Sequence, residues 1–435
     1  MDDVLDTYRP LLSRPGAKQF AFAGLLSRLP ISMFNISVIL MTQIQYDSWE
    51  IAGRVAAVGV VMWAIQTMPT ARLVDRYGQR MMWPLTVAFV VGVVVLIATA
   101  MNTGPEWLLW VGVIIASWSG PLGSLTRARW AHLLDNDDDI HSAFALEGAL
   151  DEVLFVGGPA LSTLLAYAVH PAAGLVVATV GMVVGIALLL AQKSSEPPAR
   201  RDTGGTALGR NVPKAIIGTA ITAIALGSLF GSLDISTVAF AEDAGYAAAG
   251  GVVLGIISLG SFVGGLLYGS RRWTTPLWKR FLVASAILGV GFAILGQMPN
   301  LWWFTGFGFL AGMAIAPVLT SEDSIAQRVV PQHQLVEGMA WLRIGMGAGV
   351  AAGAWIGGWL IDHYGHGAGV SVMVGSAVLL TLSSLAVTPW VKRDTLAAEA
   401  SRAEDQAVAP GHSPVEVLDA GDQLYTSGPP APPGA

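Results

Sequence analysis

The chain has 435 residues, 53% of them hydrophobic and 12% charged, with a formal net charge of -6 and no cysteine. Soluble domains carry charge on about a quarter of their residues, so ordinary water-soluble packing is excluded, and the lack of thiols removes disulfide frameworks, thiol catalysis and cysteine metal sites. Acidic residues gather at DNDDD (135–139) and toward the end of the chain, while basic residues lie elsewhere, which gives a nucleic-acid partner no support.

Apolar stretches recur at close to the roughly 20 residues a helix needs to cross a bilayer. In chain order they predict spans at 20–44, 51–68, 82–100, 107–126, 143–168 and 173–191, then 214–240, 250–268, 281–298, 301–320, 338–361 and 370–391. The first follows Arg9, Arg14 and Lys18 and is too long for a signal-peptide core, so it is expected to be retained. Lysine and arginine test the count, because loops kept in the cytoplasm are rich in them. Arg72, Arg76 and Arg80 follow span 2, and Arg127 and Arg129 follow span 4. Lys193, Arg200, Arg201, Arg210 and Lys214 lie between spans 6 and 7, Arg271, Arg272, Lys279 and Arg280 follow span 8, Arg328 follows span 10, and Lys392 and Arg393 follow span 12. Every even-numbered exit is basic, which predicts both termini on the cytoplasmic side. The expected organisation is a six-helix bundle over 1–191, a Pro- and Gly-rich cytoplasmic linker over 192–213, a second six-helix bundle over 214–393, and a disordered cytoplasmic tail over 394–435.

The halves repeat. Leu73 in ARLVDRYGQR matches Leu267 in GGLLYGSRR, and Pro121 in SGPLGS matches Pro317 in IAPVLTS, at a common offset of about 195 residues. Duplicated bundles place a substrate near the bilayer midplane between them, with rocking of one bundle against the other giving alternating access.

ARLVDRYGQR, at the basic exit of span 2, resembles the loop 2–3 signature of the major facilitator superfamily, G-x-L-x-D-R-x-G-R-R. Leu73, Asp75, Arg76, Gly78 and Arg80 stand in matching places, Ala71 replaces the first glycine and Gln79 one basic residue. The resemblance covers about residues 15 to 392 and implies an all-α membrane fold of twelve helices in two bundles. It also implies that Asp75, with Arg76, Arg80 and reach to Arg127 or Arg129, latches the cytoplasmic side closed. GGWLIDHYGHGAG resembles the signature too, through Gly358, Asp362 and Gly365, but faces outward by the span count and is read as a helix-ending turn.

Charges inside the spans mark the candidate site, because an ionised side chain at the bilayer centre costs roughly 2.5 to 3.5 kcal/mol and persists where it faces a cavity or a partner. Span 5 opens FALEGALDEVLFVGGP, with Glu147 and Asp151 on one helix face and Glu152 about 100° round from Asp151. Arg28, followed by the kink-prone Pro30, lies in span 1, Asp234 in span 7 and Arg343 in span 11. The resemblance lines the cavity with spans 1, 4, 7 and 10, flanked by 5 and 11, so Arg28 is expected to pair with Asp151 or Glu147. The alternatives are carboxylates decorating a helix end and an arginine snorkelling to the surface. Gly157, Gly158 and Pro159 are similar to the glycine-proline motif in span 5 of the superfamily's drug/proton antiporters, and close helix packing explains them equally well.

The leading expectation is a secondary transporter in the plasma membrane, a monomer exporting a small hydrophobic or amphipathic molecule against protons. Proton-coupled uptake, uniport, and a non-transporting receptor or chaperone on the same fold stay open. No nucleotide-binding loop, metal-spaced histidines or serine-histidine arrangement appears, so no cofactor, no metal and no enzyme activity are expected.

Overall fold

The computed structural model of the chain describes residues 10–134, 136–199, 213–271, 273–330 and 335–408. Among them no strand occurs. In hydrocarbon every backbone polar group needs a partner within its own segment, and helices provide it. Among the described residues eleven helical segments are long and apolar enough to cross a membrane: Ala17–Tyr46, Trp49–Tyr77, Gln79–Met101, Ser142–Ala168, Ala173–Ala191, Lys214–Asp243, Ala247–Gly269, Leu277–Leu295, Leu301–Val329, Gly338–Tyr364 and His366–Ser401. They are spans 1–3 and 5–12 of the expected series. Span 4 is two shorter helices, Glu106–Ala116 and Leu122–Leu133, and spans 1 and 10 are also each two pieces, span 10 being Leu301–Gly312 and Ile315–Val329.

Local chemistry sets the ends. Pro105, Pro213 and Pro276 stand immediately before spans 4, 7 and 9, where a missing N–H costs nothing. Ser48 and Asn300 accept the N–H groups of Ile51 and Trp303 at the starts of spans 2 and 10. Gly78 and Gly365 end spans 2 and 11 at φ +81° and +84°, which only glycine adopts without strain.

Three sequence expectations change. Span 4 is interrupted over 117–121 because Gly120 turns through φ +78° and Pro121 has no N–H to continue a helix. Span 10 is expected to end at 320 but runs to Val329, which brings Glu322 and Asp323 into it. The last helix continues to Val408, so residues 394–408 of the expected disordered tail are helical, and Arg328 of span 10 is ion-paired to its Glu399. Most of the linker (200–212) and the rest of the tail lie outside the described residues.

The apolar core shows how the halves meet. At the side away from the basic loops one cluster is continuous across both: Ile36, Leu40, Trp49, Ala52 and Ala166 pack with Leu226, Leu233, Val238, Val253 and Ile361. Toward the basic side the core divides, with Leu277, Phe281, Ile325 and Val387 in a cluster of second-half residues alone. Glycine contacts follow the same seam. A Cβ at Gly53 would stand 2.4 Å from the carbonyl oxygen of Ala354, at Gly358 2.2 Å from that of Trp49, and at Gly251 2.1 Å from that of Pro159. The hydrogen bonds that join the two bundles among the described residues lie in the same half: Gln43 to Glu242, Asn35 to Asp234, and Ser48, Trp49 and Glu50 to Asp362. Among the described residues the bundles are therefore joined on the far side, and no hydrogen bond joins them on the basic side.

Candidate functional site

Span 1 is two helical pieces, Ala17–Ser27 and Leu29–Tyr46, and Arg28 occupies the junction. Pro30, in the first turn of the second piece, cannot donate back into the first, which produces the break. The side chain of Arg28 is fully buried and forked. Its Nη2 lies 2.6 Å from Glu147 Oε2, its Nη1 2.7 Å from Asp151 Oδ1, and its Nε donates to the Gly24 carbonyl at 3.1 Å. Glu147 and Asp151, one turn apart, meet the guanidinium from one face of span 5. The sequence expected one partner for Arg28, and the structure supplies both.

Span 4 completes the cluster through the half-helix after its break. Thr126 Oγ1 donates to Glu147 Oε2 at 2.9 Å, Trp130 Nε1 to Glu147 Oε1 at 2.8 Å, and Arg127 Nη2 to Asp151 Oδ2 at 2.7 Å. Two guanidinium and two carboxylate groups balance in charge. Such geometry is what retention of ions in a low-dielectric interior requires, and removing one member of a buried pair costs about 3 to 5 kcal/mol. The members differ in access: Glu147 is fully buried and held by three donors, whereas the side chain of Asp151 is 23% exposed and that of Arg127 34%. Asp151 is the more exposed of the two carboxylates. Glu152 is half-buried and has no hydrogen-bond partner among the described residues.

The second bundle carries a counterpart with the charges exchanged. Arg127 and Glu147 correspond, at the offset relating Pro121 to Pro317, to Asp323 and Arg343, and Arg343 Nη2 lies 3.1 Å from Asp323 Oδ2. Beside them Glu322, 2% exposed, accepts from Thr222 Oγ1 at 3.0 Å. Sequence reasoning missed Glu322 and Asp323 because it ended span 10 at 320; the acidic pair in TSEDS, one half-repeat after Thr126 and Arg127, was the available signal. Asp234 of span 7 accepts a hydrogen bond from Asn35 of span 1 and stays apart from both clusters.

The signature loop is arranged differently from expectation. Asp75 is exposed, with no ion pair among the described residues, and neither Arg127 nor Arg129 reaches it. Arg127 is committed to Asp151. Arg129 is buried, donating to Gln79 Oε1, the Gln192 carbonyl and Ser195 Oγ, each at 2.8 Å. Gln79, which stands where the signature has a basic residue, also donates to the Leu125 carbonyl at 3.1 Å. An amide accepts from Arg129 as no cation can. Leu73 is half-buried, Arg80 is exposed, and Arg76 lies over the Tyr77 ring. Of the packing motif, Gly158 is pressed against Ser32 of span 1 and the Pro159 carbonyl against Gly251 of span 8, whereas Gly157 faces open space. No cluster of three or more potential metal ligands occurs among the described residues.

The helices long and apolar enough to cross a membrane form two bundles, and the first of them holds the buried ionic cluster. Residues 278–417 match the sequence model of the Major Facilitator Superfamily. Solved transporters share the fold at low identity. A POT family transporter in complex with a thioalcohol-conjugated peptide is 12% identical, covering 87% of this chain and 96% of its own, with a TM-score of 0.68. The nucleoside transporter NupG is 12% identical at 86% and 98% coverage with a TM-score of 0.65. A bacterial homolog of the human lysosomal transporter Spinster, inward-facing and occupied, is 14% identical at 88% and 97% coverage with a TM-score of 0.64. No curated protein sequence matches the chain. The match to the family model covers residues 278–417 alone, and over the whole chain the likeness to these solved transporters is one of fold.

Proposed function

We propose that this protein is a proton-coupled secondary transporter of the plasma membrane, a monomer with both termini cytoplasmic, that exports a small hydrophobic or amphipathic molecule by alternating access. The observation that carries the reading is the cluster of Arg28, Glu147, Asp151 and Arg127 within one bundle, beside the side on which no hydrogen bond among the described residues joins the bundles. With the basic loops cytoplasmic, that side faces inward. The free Asp75 accords with this state, since a latch holding the cytoplasmic side closed is open here. Asp151 is assigned as the proton carrier and Glu147 as the anchor. A proton reaching Asp151 cancels the charge that two arginines share and loosens span 1 and span 4 from span 5, so protonation and movement are coupled in one place. The chain's broken spans 1 and 4 provide the irregular backbone at membrane depth that carriers use around their sites.

Reconstitution into liposomes with an imposed pH gradient, using a panel of lipophilic cations and neutral amphiphiles, tests the reading. Asp151→Asn is expected to bind substrate but to transport at the same rate with and without the gradient. Gradient-driven transport unchanged in both Asp151→Asn and Glu147→Gln would remove the cluster from coupling, and Glu322, buried with a hydroxyl partner and no hydrogen-bonded cation among the described residues, is then the next variant to measure. The opposite dependence on gradient direction would assign uptake in place of export.

A further inference from the structure

We propose that Asp362, at the far-side end of span 11, is the latch of the outer gate and works in alternation with Asp75; this rests on the transport reading above. Spans 2 and 11 lie antiparallel across the boundary between the bundles, in a register that brings Trp49 against Gly358, Gly53 against Ala354 and Val60 with Ala64 against Gly347. Followed to the basic side, that register brings Asp75 level with the start of the helix Leu335–Tyr364. Followed to the far side, it brings Asp362 to the start of span 2. Each helix thus carries a carboxylate near its end, level with the start of the other, and only Asp362 is in contact with that start.

The two ends are in opposite conditions. Asp362 Oδ1 accepts the backbone N–H of Trp49 at 2.8 Å, and Oδ2 accepts the N–H of Glu50 at 2.8 Å and the Ser48 hydroxyl at 2.6 Å. Ser48 Oγ accepts the N–H of Ile51 at 3.1 Å. The first three N–H groups of span 2, which no helix can satisfy internally, are thereby all bonded, two of them by a residue of the other bundle. The carboxylate also sits at the positive end of span 2's dipole. Gly53 and Gly358 admit the facing backbone so closely that no side chain stands between the helices, which keeps Asp362 within reach. Asp75, by contrast, is exposed and unpaired among the described residues, at the end where no hydrogen bond among the described residues joins the bundles.

A ligand or contact shifts a two-state equilibrium only by what it contributes to one state and not the other. Asp362 makes its three bonds only with the outer side closed, so it stabilises the conformation described here. The register gives Asp75 the same role with the inner side closed.

Because the chain has no cysteine, spin-label pairs can be placed without removing native thiols. One pair, Trp107→Cys with Trp302→Cys, reads the far-side separation; a second, His132→Cys with Lys279→Cys, reads the basic side. In purified protein without substrate, Asp362→Asn is expected to raise the far-side-open population about tenfold or more. Asp75→Asn is expected to move the equilibrium the other way, and Asp362→Glu to recover part of the parent distribution. If Asp362→Asn does not fold, Ser48→Ala is expected to produce a smaller shift in the same direction. Unchanged distances in these variants, a lower melting temperature without a population shift, or displacement in the same direction as Asp75→Asn would each overturn the proposal. Because the distances are read without substrate, a failure of vesicle transport would sink the transport reading separately and leave this measurement interpretable.

Discussion

Arg28 is the residue on which the N-terminal cluster turns. It touches both carboxylates of span 5, and its removal leaves a fully buried Glu147 with only hydroxyl and indole donors. Arg28→Ala is expected to lower stability by about 3 to 5 kcal/mol, read as a loss of melting temperature in detergent. Arg28→Lys, a point charge in place of a planar fork, is expected to recover only part of that loss. Trp130→Phe keeps the ring's packing against Phe20 and deletes one of Glu147's three donors, for an expected cost of about 1 to 3 kcal/mol. A full loss of fold in Trp130→Phe, or none in Arg28→Ala, would show that the cluster is not what holds the three spans together. The charges themselves were legible in the sequence, because an arginine and two carboxylates stand out in oily helices. Their third contributor was not. Thr126 and Trp130 are unremarkable residues of a basic helix end, and only the packing of span 4 on spans 1 and 5 turns them toward Glu147.

Among the elements, the break in span 4 has the clearest energetic signature. Gly120 holds φ +78°, and a Cβ there would lie 2.9 Å from the Met82 sulfur of span 3. Gly120→Ala is therefore expected to cost about 1 to 2 kcal/mol in backbone strain alone and, because the half-helix beyond the break carries Thr126, Arg127 and Trp130, to slow transport as well. Wild-type melting temperature and transport in that variant would show that the bend is not needed. Most span positions were readable from hydropathy, a local property, and the basic exits fixed their alternation. The interruption was not, because Gly120 and Pro121 sit inside an apolar run whose mean hydropathy hides a single turn. Asp362 shows the same limit: its signature-like spacing was visible, while the partner that gives it meaning is the start of span 2, more than three hundred positions earlier in the chain.

At the scale of the whole molecule, the far-side seam that joins the bundles predicts which variants change conformation and which change only stability. Asp75→Asn removes no buried contact, so its melting temperature is expected to stay within about 0.5 kcal/mol of the parent's equivalent, while transport falls because the inner side no longer stays closed. Normal transport by Asp75→Asn would reduce the loop to a topology determinant. Reporters fused within the 192–213 linker are expected to read cytoplasmic and one near Asn102 external; a cytoplasmic signal at Asn102 would overturn the orientation.

The last helix carries a practical consequence. At 43 residues it is about 65 Å long, some 35 Å more than the hydrocarbon it has to cross, and the Arg328–Glu399 pair braces its projecting part to span 10. A protein of 45.5 kDa that is almost entirely immersed in detergent offers little shape for particle alignment in electron microscopy. A continuous helix leaving the membrane is a splice point: a rigid helical partner joined in phase near residue 400 would turn with the second bundle as one solid body. Images of such a fusion would then report the bundle's tilt directly, as the angle of an arm outside the micelle.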